Sequence, residues 1–79
     1  MTAPTTAPTL AATAASEIRA ALGRQHRSVS WLAKKMGTYP MYVHRRLDAE
    51  VEMTLSDIDR MALALGVPVV QLLTLGSAE

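Results

Sequence analysis

Residues Trp31–Leu47 read WLAKKMGTYPMYVHRRL. Gly37 interrupts a helical run, and Pro40 follows three residues later. Glycine past the last turn is a common helix stop, because it reaches positive φ at little cost. Proline is a common helix start, because its fixed φ suits the first turn and its missing amide would be unpaired there anyway. The spacing predicts two short helices, Val29 to Met36 and Pro40 to Leu47, joined by a turn of about three residues. That is a helix-turn-helix. Two helices crossing steeply need a small side chain at the crossing, a residue tolerant of positive φ in the turn, and an apolar anchor beyond it. Ala33, Gly37 and Val43 meet these needs.

Working outward, Ser28 is placed to cap the first of these helices through its hydroxyl. Leu32, Ala33 and Met36 face inward on it; Val43 and Leu47 face inward on the next, which Asp48 and Ala49 end. On the N-terminal side, Leu10, Ala14, Ile18, Ala21 and Leu22 recur at helical spacing as one apolar stripe. This helix starts between Thr9 and Ser16 and runs to about Gln25. On the C-terminal side, Thr54 and Asp57 have the spacing of a capping box, with Asp in place of Glu. Leu55, Ile58, Met61, Ala62 and Leu65 form the stripe that follows, and Gly66 stops it. Pro68 opens a short fifth helix carrying Val69, Leu72 and Leu73. No run of strand length alternates with period two. The expected fold is all-α, a compact bundle of about five short helices. Residues 1–9, rich in Thr, Ala and Pro, read as a flexible arm, 10–75 as the folded domain and 76–79 as a tail. Trp31, the sole tryptophan, is expected to pack beside the first or fourth helix rather than to bind a ligand.

A chain of 79 residues makes one small domain with little room for an enzyme cleft. It has no cysteine, which excludes disulfides and thiolate metal sites. His26 and His44 have no carboxylate partner at metal spacing, so neither metal nor cofactor is expected, and no catalysis. No apolar run approaches a membrane span of about 20 residues, and the N-terminus lacks the basic start and apolar core of a signal peptide. A cytoplasmic protein is expected.

Net charge is only +1, but the charges are segregated. From Ile18 to Leu47 the charged residues are Arg19, Arg24, Arg27, Lys34, Lys35, Arg45 and Arg46, all positive. From Asp48 onward they are Asp48, Glu50, Glu52, Asp57, Asp59 and Glu79, with Arg60 the only base. Seven bases without an acid attract a polyanion by steering and counterion release.

The order WLAKKMG, TYPMYVHRRL, loop, TLSDIDRMALALGVPVVQLL resembles the lambda-repressor-like, or XRE, helix-turn-helix family, and in particular phage and actinobacterial repressor DNA-binding domains. The resemblance spans roughly Ile18 to Leu73, with Ala33, Gly37 and Val43 matching the family's small residue, glycine and branched anchor. Three departures stand out. Pro40 occupies a position where many members carry a polar base reader. Arg46 sits where an apolar anchor is frequent, so Leu47 takes that role. Asp48-Ala49-Glu50-Val51-Glu52 replaces a common Asn-Gly plus base loop, which loses phosphate contacts and puts Asp48 or Ala49 in a mildly strained conformation.

The resemblance implies a sequence-specific double-stranded DNA-binding regulator of transcription, a repressor of the phage immunity or Cro-like type, with the helix from Pro40 to Leu47 in the major groove. Tyr39, Met41, His44 and Arg45 are the expected base-contacting residues. Arg45 projects away from Val43 and can pair two donors with a guanine; otherwise it is a phosphate or plain surface arginine. Ser28, Ser30, Lys34, Lys35, Tyr42 and Arg46 are the expected phosphate contacts. Lys34 and Lys35 lie 100° apart on their helix and cannot both face the duplex. Two rival readings remain: an antitoxin-type regulator, and a helical interaction module without DNA binding. A weak homodimer through helix 5 (Val69, Leu73) is one expectation; completion of the monomer core by Leu72 and Leu73 is the other.

Overall fold

The computed structural model describes residues 9–73, so most of the expected arm, the last two residues of the expected folded domain and the tail at 76–79 lie outside the described residues. Five helices follow one another: α1 (Leu10–Arg24), α2 (Val29–Met36), α3 (Pro40–Leu47), α4 (Leu55–Leu65) and α5 (Val69–Leu73). There is no strand among the described residues. α1 packs against α3, α4 and α5, while α2 packs against α3 and α4.

The helix starts follow from their caps. The Thr9 hydroxyl accepts from the Ala12 amide at 3.0 Å, and the Ser28 hydroxyl from the Trp31 amide at 3.0 Å. At Thr54 the capping box is complete: its hydroxyl accepts from the Asp57 amide at 3.0 Å, and its own amide donates to the Asp57 carboxylate at 3.1 Å. Met53 and Ile58, on either side of this box, are both buried and hold the positions of a hydrophobic staple.

α1 to α4 end alike, with one residue in the left-handed region and an amide reaching back to a carbonyl five residues earlier. Gly37 (φ 75°) and Gly66 (φ 73°) do this for α2 and α4. His26 (φ 55°) and Ala49 (φ 64°) do it for α1 and α3, at a steric cost glycine would not carry. The strain expected at Asp48 or Ala49 therefore falls on Ala49.

The core is built by Ile18, Leu32, Val43, Ile58, Met61 and Leu72, each at most 2% exposed, with Ala14, Ala21, Ala33 and Ala62 allowing close approach. Two residues expected in apolar stripes are not in it. Leu10 is 59% exposed and Leu55 70% exposed. Each is the first residue of its helix, and side chains there lean back toward the N-terminus, beyond the layer that packs. Met36 and Trp31 are half-buried and pack on the rim of the core. Polar side chains join helix ends to neighbours: Gln25 donates to the Leu65 carbonyl at 2.9 Å, and Arg60 to the Met36 carbonyl at 2.9 Å.

Candidate nucleic-acid interface

α3 is two turns long, and its faces differ. Val43 (0% exposed) and Leu47 (5%), four residues apart, pin it to the core. Met41, His44 and Arg45 share the opposite face by helical spacing, and all three are exposed. Tyr39 is the N-cap residue, in extended conformation with no side-chain capping bond, and is 77% exposed. Pro40, at the first helical position, fixes φ there and has no amide to leave unpaired, so the helix starts without a side-chain cap. The entrance to α3 thus presents an aromatic ring and a thioether to solvent. The four residues expected to touch bases are all exposed on this helix or at its entrance.

Between the two faces lie Tyr42 and Arg46, and their surroundings are different. The Tyr42 hydroxyl donates to Asp57 Oδ1, and Arg46 Nε donates to Asp57 Oδ2 at 2.9 Å. Arg46 also donates to the Tyr42 carbonyl at 3.3 Å, and its guanidinium lies 3.6 Å from the Tyr42 ring centroid. Asp57 is 3% exposed. Burial pushes its carboxyl up, but the Tyr42 phenol, the Thr54 groups and the Arg46 guanidinium outweigh this and hold it below the ordinary carboxylate value. Donation to Asp57, with burial and the nearby negative charge, raises the Tyr42 phenol above its usual value. Tyr42 and Arg46, expected at phosphates, therefore both have side-chain atoms engaged inside the protein.

Ser28, Ser30, Lys34 and Lys35 are exposed on or beside α2. Ser28 uses its hydroxyl to cap the helix. Arg27 lies over the Trp31 ring, 4.3 Å from its centroid, and Lys35 approaches the same ring at 5.9 Å. Arg27 had no expected place, although its spacing of four from Trp31 puts the two in reach. Asp57 was expected as a capping residue alone. The signal for its second role was an arginine, Arg46, at a position where an apolar anchor is frequent.

Two of the seven clustered bases are neutralised by the acidic half of the chain. Arg46 pairs with Asp57, and Arg19 of α1 pairs with Asp48 at the end of α3, where both side chains are about half exposed. Arg24, Arg27, Lys34, Lys35 and Arg45 have no carboxylate partner among the described residues. The cations of α3, in its last turn, also suit the negative end of the helix dipole. No helix among the described residues is long and apolar enough to cross a membrane.

No protein-family model and no curated protein matches the chain. Among solved structures it is similar to the clp gene regulator ClgR from C. glutamicum, with 19% identity, a TM-score of 0.77, and 85% of this chain and 87% of that one covered. That likeness is one of fold. It is also similar to the hypothetical transcription factor NHTF from Neisseria, with 33% identity, a TM-score of 0.77, and 92% of this chain and 87% of that one covered. On that identity and coverage, the chain belongs to the family of NHTF, the hypothetical transcription factor from Neisseria.

Proposed function

We propose that this protein is a sequence-specific double-stranded DNA-binding regulator of transcription of the lambda-repressor-like type, acting in the cytoplasm as a repressor. The observation that carries this reading is α3 itself. It is anchored by Val43 and Leu47, and it presents Tyr39, Met41, His44 and Arg45 outward with no acid among them. An eight-residue helix so held fits the width of a major groove. Arg45 is the proposed guanine reader, His44 a donor to a base edge, and Met41 and Tyr39 partners for a thymine methyl or sugar. Ser28, Ser30 and one of the two lysines, Lys34 or Lys35, are proposed phosphate contacts that set the helix in register. Tyr42 and Arg46 belong to that set only through the parts of each side chain that Asp57 leaves uncovered. Similarity to a hypothetical transcription factor, NHTF, and to a gene regulator, ClgR, supports the same reading.

One recognition helix reads too few base pairs to select a genomic site, which favours two copies with their α3 helices about 34 Å apart. Leu72 is fully buried in the monomer, and Val69 and Leu73 are partly buried against its core, so α5 has a small apolar surface left for a partner. The proposed homodimer is correspondingly weak in free solution and strengthened on DNA.

Selection from random duplexes, then titration over a range of salt, tests the proposal. With about four to six phosphates neutralised, log K falls against log salt with a slope of roughly −4 to −5. A slope near zero overturns it.

A further inference from the structure

Val43 and Leu47 lie four apart, on one line along α3, and apolar contact has no direction. A two-turn helix held along one line can roll about it. The packing of α3 is against α1 and α2. Its polar connection to α4 is the Asp57 carboxylate, which takes the Tyr42 hydroxyl and Arg46 Nε from the flank of α3. The carboxylate is itself held by the amide of Thr54, at the start of a helix that packs on α1, α2 and α5. Hydrogen bonds to a charged acceptor are directional and strong. Together they add a mostly buried fixed point off the line of the two apolar anchors, whereas the other polar tie of α3, Asp48 at its end to Arg19, is about half exposed and weak.

The roll of α3 matters because an arginine tip reaches on the order of 8 Å from the helix axis, so a roll of about 10° moves it by about 1.4 Å. Base reading needs placement within about 0.5 Å. Resting on the DNA-binding reading above, we propose that Asp57 is a positioning residue, which sets the roll of α3 and thereby decides whether Arg45 and His44 meet their base edges. It does this through Tyr42 and Arg46, so that a residue of α4 governs discrimination between DNA sequences without touching DNA.

The experiment compares wild type, Asp57→Asn and Tyr42→Phe on the preferred duplex and on random duplex, at a temperature where circular dichroism shows each chain folded. Amide hydrogen exchange is followed on the free proteins in parallel. Asp57→Asn keeps the size and much of the capping ability but loses the charge. Its expected effect is a drop of about tenfold in the ratio of preferred to random affinity, equivalent to one good base contact. Affinity for random duplex changes little, and amides of α3 exchange faster while those of α1 do not. Tyr42→Phe removes only the phenol oxygen, which donates to Asp57, and shows the same loss of ratio and of α3 protection, smaller; it decides the matter if Asp57→Asn does not fold. A folded variant that keeps both the ratio and α3 protection overturns the assignment while leaving the DNA reading intact. A wild-type chain that binds no duplex overturns the DNA reading, and the assignment with it.

Discussion

Arg45 and Arg46 are neighbours in sequence and differ in almost everything else. Arg45 is exposed, has no carboxylate partner among the described residues, and stands on the outer face of α3. Arg46 is mostly buried, bonded to Asp57 and stacked on Tyr42. A rotation of 100° about a helix axis separates a side chain available to a ligand from one that holds the protein together. The comparison teaches that, on a short helix, the face available for recognition can be only as well placed as the flank behind it.

The strongest way to break this comparison is to remove the acid that makes it. Asp57→Ala leaves the Arg46 charge without its partner and opens the capping box, and should cost about 3 kcal/mol or more in urea unfolding. Arg45→Ala should leave unfolding unchanged. The pH dependence has a definite sign. Asp57 titrates below its ordinary value in the folded protein, so its contribution is full above that ordinary value, about 3.9. It is lost as pH falls through the lower folded value. Tyr42 titrates above its ordinary value, so its contribution is present below about 10 and lost as pH climbs through the raised folded value. Unfolding curves from neutral to acid pH should flatten in Asp57→Ala; an unchanged acid limb would deny Asp57 this role.

A smaller effect sharpens the other side. Arg45→Ala should weaken binding to the preferred duplex by about 1–3 kcal/mol and relax the preference at one base pair, as read by competition between duplexes. Lys34→Ala should instead weaken all sequences alike and reduce the salt slope by about 1. Equal losses on every sequence for Arg45→Ala would make it a phosphate contact.

The smallest effect leaves both faces untouched. Ala49→Gly relieves a left-handed residue at the end of α3 and should raise stability by about 0.5–1 kcal/mol, with glycine's unfolded-state entropy offsetting part of the relief. Thermal unfolding measures it, and sequence preference should not change. Loss of stability would show that the Ala49 methyl group has a packing role.

The helices were legible because their ends carry explicit chemistry. Ser28, Pro40, Thr54, Gly37 and Gly66 bound α2, α3 and α4 where the sequence alone places the limits. The start of α1 was open over several residues because alanine and threonine there carry no comparable signal; the Thr9 cap settles it at Leu10. His26 was not foreseen as a left-handed residue, since nothing local distinguishes it from any other polar residue after a helix. Leu10 and Leu55 fit the apolar stripes yet lie outside the core, because periodicity assigns a face but not a depth along the axis.

By itself, then, the sequence determined which segments are helical, where they stop, and that Val43 and Arg45 lie on opposite faces of α3. Those are local matters, settled by propensity, capping and a 3.6-residue period. Which charges remain available follows from the packing of the helices. The segregation of seven bases from the acids is a property of chain order, whereas Arg19 meets Asp48 and Arg46 meets Asp57 because folding brings the ends of α1, α3 and α4 together. Coulomb attraction depends on distance in space, which chain order does not specify.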